Sequence, residues 1–102
     1  MLTTTAQTVD RSGSITAGGT AQDIYTAEQK PRLGFEFYNT SDTVMYLDFG
    51  TLATTTKGIP VPPMVDNVPG CYYAPGPSGV IPSGRLSVLC ATTGKTFVCK
   101  TF

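Results

Sequence analysis

The sequence predicts an all-β fold: a single antiparallel β-sandwich or jelly-roll-like barrel with a long Pro/Gly-rich loop and no substantial helix. Three observations carry that prediction. Residues 33–49 alternate apolar and polar side chains on either side of a short polar turn, as half-buried strands do. Residues 85–102 repeat the pattern. Between them, every proline except Pro31 falls within 58–84, interleaved with Gly58, Gly70, Gly76, Gly79 and Gly84. Proline cannot donate to a sheet ladder, so that stretch reads as loop with short edge pieces.

In chain order, residues 1–12 carry little to bury beyond Leu2 and Val9 and read as an N-terminal arm, with residues 13–102 as one β-domain. The first dozen residues fit either a frayed terminus or an arm that adds a strand to a neighbour. Ser14-Ile15-Thr16 and Ala21–Tyr25 read as strands around an Ala17-Gly18-Gly19 turn, where glycine supplies positive φ. The central pair reads as a hairpin. Leu33, Phe35 and Phe37 share one face of its first strand, and Met45, Leu47 and Phe49 share one face of its second. Thr51–Lys57 is a loop without periodicity. Cys71–Ala74 and Gly79–Ile81 are the expected edge pieces of the proline-rich stretch. The last pair reads as a second hairpin turning at Thr93-Gly94, with Cys90 opposite Phe97 and Val88 opposite Cys99. Its core face holds Leu86, Val88, Cys90, Phe97 and Cys99, and Leu89, Val98 and Phe102 fall on the other. The expected core is therefore Leu33, Phe35, Phe37, Met45, Leu47, Phe49, Leu86, Val88 and Phe97. The expected interface residues are Leu2, Val9, Leu89, Val98 and Phe102.

Bulk composition narrows the function classes. The chain has 102 residues, and a fold this small buries about two thirds of its unfolded surface, so neighbours matter to its stability. Charged residues make up 14%, well under the usual quarter or so. Seven basic and seven acidic residues balance to zero without a cluster of either sign. A concentrated basic patch, which nucleic-acid binding requires, is absent from the sequence. A neutral surface favours association. No segment approaches the roughly 18 apolar residues of a membrane span. Met1–Thr5 lacks the basic head and apolar run of a signal peptide, so cytosolic synthesis is expected.

The sequence holds no histidine, which excludes Ser–His, Cys–His and His-ligated metal chemistry. Cys71, Cys90 and Cys99 lack C-x-x-C spacing. Gly76-Pro77-Ser78-Gly79 lacks the lysine of a phosphate loop. No enzyme activity, cofactor or metal is expected. In the hairpin register above, Cys90 and Cys99 are diagonal neighbours about 6–8 Å apart at Cβ, whereas a disulfide needs roughly 3.5–4.5 Å. They read as buried thiols acting as small hydrophobes.

Gly18-Gly19-Thr20-Ala21-Gln22 is followed by Pro31-Arg32-x-Gly34-Phe35-x-Phe37-x-Asn39-x-Ser41-Asp42-Thr43-x-Met45-Tyr46-Leu47-x-Phe49-Gly50. With Gly70-Cys71-Tyr72-Tyr73-x-Pro75, Pro82-x-Gly84-x-Leu86-Ser87-Val88 and Ala91-Thr92-Thr93-Gly94, this resembles a group of small structural proteins of tailed-bacteriophage virions. The resemblance spans most of residues 13–102; residues 1–12 and the three cysteines have no counterpart in it. It implies a virion protein assembled in the host cytoplasm, a capsid decoration (cement) protein whose partner is the major capsid protein, itself, or both. It further implies a small homo-oligomer, often a trimer. The alternative is a tail or neck fibre module, or a host-receptor module that binds glycans through Tyr38, Tyr46, Tyr72 and Tyr73.

Overall fold

A computed structural model of the chain describes residues 8–29, 31, 33–74, 79 and 84–102. The strands are β1 (Val9–Asp10), β2 (Gly13–Ser14), β3 (Gln22–Tyr25), β4 (Phe35–Asn39), β5 (Met45–Phe49), β6 (Ile59–Val61), β7 (Gly70–Ala74), β8 (Leu86–Cys90) and β9 (Thr96–Thr101). One 3-10 turn, Ala27–Gln29, lies between β3 and β4. The first sheet runs β1–β9–β4–β7, with β2 also on β9; the second runs β3–β8–β5–β6. All pairs are antiparallel. The two sheets bury their facing sides against each other in one core. Taken as one strand, β1/β2 pairs β9, β3 pairs β8, β4 pairs β7 and β5 pairs β6. These nested pairs rolled into two layers have jelly-roll winding.

That winding overturns the expected hairpins. β4 and β5 do not pair: they lie in opposite sheets, as do β2 and β3, and β8 and β9. Each of the three connections is an arch from one layer to the other. Alternation still sends the same residues inward, because a strand facing the core alternates whichever sheet it joins. Phe35, Phe37, Met45, Leu47, Leu86 and Val88 are fully buried and Phe97 nearly so. Phe49 is half-buried and packs its ring 5.9 Å from Phe35 and 6.0 Å from Tyr72. The expected pairings of Cys90 with Phe97 and Val88 with Cys99 do not occur. Cys90 pairs Met45, Cys99 pairs Phe37, and both are buried free thiols. Burial pushes the Cys99 thiol up to about 12.

Leu33 is not core; it is 45% exposed. The amides of Leu33 and Gly34 both donate to the Phe102 carbonyl, at 2.7 and 3.0 Å. Two successive donors on one acceptor make a bulge that throws Leu33 out of phase with Phe35.

The arch between β4 and β5 is fixed by Asn39, fully buried. Its amide donates to the carbonyls of Thr43 (2.8 Å) and Val61 (3.0 Å), and its oxygen accepts from the Ser41 amide and hydroxyl. Asn39 thus holds the crossing and β6 together while satisfying its own buried polar atoms.

The outer faces of the sheets differ. Residues 50–58 fold back over the second sheet. Buried Ser87 accepts from the Ala53 amide (2.9 Å) and donates to the Thr51 carbonyl (2.9 Å), which pins this loop down. Leu89, expected at an interface, is consequently 7% exposed. The outer face of the first sheet presents Glu36, Tyr38, Cys71, Tyr73, Val98 and Lys100, all half-buried or exposed.

Candidate interaction surface

Among the described residues no group of three or more His, Cys, Asp or Glu side chains could hold a metal ion. No helix of the described residues is long and apolar enough to cross a membrane. The four sheet edges can be compared group by group. In an antiparallel ladder, residues alternate between turning both backbone groups toward a neighbour and turning both away.

Arg11 donates to the Cys99 carbonyl at 2.8 Å, so on the β1/β2 edge it is Asp10, Ser12 and Ser14 that turn outward. Side chains occupy this edge. The Asp10 carboxylate accepts the Ser12 amide (2.9 Å), and the Gln22 side chain donates to the Ser14 carbonyl (3.0 Å). Hydrogen bonds from Ser12, then Lys100 at 3.2 Å, hold the Asp10 pKa down at about 2.

On the β3 edge the Gly19 amide bonds the Cys90 carbonyl, which leaves Asp23 facing out. A register shift follows it, and its carboxylate pairs Arg85 Nε at 2.9 Å. Charge and a bulge are both devices that blunt an edge.

On the β6 edge the Gly50 amide bonds the Arg85 carbonyl at 2.9 Å. This turns Met45 and Leu47 toward β6 and leaves position 60 facing out. That position is Pro60, so the donor that would point outward does not exist.

The β7 edge carries no such device. Gly34 and Phe102 exchange both backbone bonds (3.0 and 2.9 Å), which turns Glu36 and Tyr38 toward β9 and Phe35, Phe37 and Asn39 toward β7. Gly70, Tyr72 and Ala74 therefore bond β4, while Cys71 and Tyr73 turn their N–H and C=O groups away. Among the described residues nothing bonds those groups. The strand has no charge and no proline, and its outward side chains, Cys71 and Tyr73, are exposed, Tyr73 at 60%. Reading Cys71–Ala74 as an edge piece is thus correct; of Gly79–Ile81, Val80 and Ile81 lie outside the described residues.

The expected interface residues do not converge. Leu89 lies on the covered face of the second sheet, and Val98 on the opposite outer face, half-buried between Tyr38 and Ser12. Val9 is 41% exposed on β1, where it pairs Thr101 of its own chain, so residues 9–12 belong to the domain's own edge. Phe102 is half-buried against Gly34. Leu2 lies outside the described residues. The four tyrosines form no platform. Tyr72 points inward onto Phe35 and Phe49, and Tyr46 is on the second sheet, away from Tyr38 and Tyr73.

Sequence reasoning missed two exposed valines, Val65 (62%) and Val68 (67%), which exchange backbone bonds around Asp66 and Asn67. Both turn residues have positive φ, 52° and 64°. An Asp-Asn pair between valines is a two-residue hairpin signal that could have found them. A groove of about 440 Å³ lined by Tyr46, Thr54, Thr55 and Leu89 was likewise not foreseen, because the fold-back of residues 50–58 creates it.

Compared with protein-family models, with curated proteins and with solved structures, the chain matches none.

Proposed function

We propose that this chain is a non-enzymatic structural protein of a tailed-bacteriophage virion, a capsid decoration protein that binds and stabilises the head shell. The reading combines the sequence resemblance over most of residues 13–102 with one observation: among the described residues, the open β7 edge borders an uncovered, nearly neutral sheet face. A protein that acts by adhering in many copies needs directional backbone bonds and contact area rather than a reactive group. The edge offers the first, and Tyr38, Cys71, Tyr73 and Val98 offer the second. Three sheet edges are blunted, so adhesion is confined to one side instead of spreading into aggregation.

The test is electron microscopy of particles from a phage in which this gene is deleted, with the protein's copy number measured in wild-type virions. Stoichiometric copies, lost surface density and heat-fragile heads are expected. A few copies per particle, or intact heads that no longer adsorb, would move the assignment to a tail or receptor-binding module. One observation favours that second reading: the half-exposed Tyr46 ring beside Thr54 and Thr55 lines a groove in which a sugar ring could stack.

A further inference from the structure

We infer that the open edge of β7 receives a second copy of this chain, antiparallel across a twofold axis at Tyr72, with Cys71 facing the partner's Tyr73. The inference concerns the isolated protein and does not depend on the virion assignment. Three features choose this occupant. Cys71 and Tyr73 each offer one outward donor and one outward acceptor, separated by the inward-bonded Tyr72. An antiparallel copy of that pattern is its own complement: centred on Tyr72, every outward N–H meets a carbonyl and none is left over. Centred on Cys71, the Tyr73 amide would meet the carbonyl of the partner's Pro69, which has no N–H to return, and the Tyr73 carbonyl would stay unpaired.

The second feature is charge. The strand carries none, and the chain sums to zero, so two copies meet without like-charge cost. Among the described residues, the charged group paired to this strand is Glu36, one ladder position inward, and it already accepts from the Tyr38 hydroxyl at 3.2 Å. A strongly acidic or basic partner would find no charge cluster among the described residues of this edge. Third, the pairing joins two outer faces that no described residue covers into one continuous surface. A five-residue edge buries less than the roughly 800 Å² per partner of a standard stable interface. The dimer is therefore expected to be weak and concentration-dependent.

Because the Tyr73 N–H points away from β4, Tyr73→Pro deletes an outward donor and leaves the β4–β7 ladder whole. Sedimentation velocity on the purified full chain, run over a concentration series, reads the result. Wild type should show a reversible monomer–dimer equilibrium. Tyr73→Pro removes one donor from each copy and should weaken it about tenfold or more. Tyr73→Thr, which keeps the donor, should stay within a few-fold of wild type. Hydrogen exchange needs no variant: the Cys71 and Tyr73 amides should gain protection as concentration rises, while other edge amides do not. A monomer at every concentration, a trimer, unchanged dimerisation of a folded Tyr73→Pro, or concentration-independent exchange at both amides would each overturn the inference.

Discussion

β6 and β7 lie beside each other on one flank of the sandwich, one at the edge of each sheet, with the Pro62 carbonyl against Gly70 where the chain passes between them. β6 has three residues and β7 five, each mixing buried and solvent-facing positions. The difference that matters lies in the outward-facing positions. The outward residue of β6 is Pro60, whereas the outward residues of β7 are Cys71 and Tyr73. The second sheet is closed along this flank by a missing N–H, and the first is left able to extend. Burial is not what separates an open edge from a blunted one here; the outward backbone donors are.

The comparison can be broken hardest at the joint. Adding a Cβ at Gly70 overlaps the Pro62 carbonyl, where backbone meets backbone and neither can yield. Gly70→Ala should cost about 3 kcal/mol or more in urea denaturation. Tyr72→Pro should cost a similar amount, because it removes an N–H that bonds β4. If Tyr72→Pro and Tyr73→Pro destabilise equally, the assignment of inward and outward residues is wrong. Next, Ser87→Ala strips the loop over the second sheet of its anchor and leaves the Ala53 amide unpaired. A loss of about 1–3 kcal/mol is expected by thermal denaturation, with new protease cleavage within 50–58.

Pro60→Val should sharpen the contrast by making β6 resemble β7. The fold should hold within about 1 kcal/mol, while light scattering reports assemblies larger than a dimer as a second edge opens. The smallest effect concerns acid. The pKa of Asp10 is depressed by Ser12 and Lys100, so its stabilisation is complete above the ordinary carboxylate pKa. It is lost as pH falls from about 4 through about 2. The Ser12 amide should then lose protection relative to its intrinsic exchange rate, while the protection of the Cys71 amide does not change.

Much of the core was legible because the alternation of Phe35, Phe37, Met45, Leu47, Leu86 and Val88 depends only on facing an apolar layer. Which layer each strand joins was not legible. A polar turn such as Asn39–Asp42 reads the same in a hairpin and in an arch. What distinguishes them is that Asn39 reaches Val61, a contact across 22 residues that no local window contains. The candidate surface was legible in part. Cys71–Ala74 reads as an edge, and Pro60 is a blunting residue in any strand. That Cys71 and Tyr73, and not Tyr72, face outward needs the Gly34–Phe102 pair to set the phase. Leu89 read as surface because the loop that buries it carries no periodic signal, and its anchor on Ser87 is made by the backbone of Thr51 and Ala53.

The nested winding also has a corollary for the order in which the layers can close. β3, β5, β6 and β8 pair only among themselves, so the ladder of the second sheet needs nothing from β9, while the first sheet without β9 is left in pieces. β9 is the strand that binds β1, β2 and β4 together. Until it docks, the aromatic inner face of β4 lacks that neighbour. A chain truncated before Thr96 should thus expose a half-built sandwich.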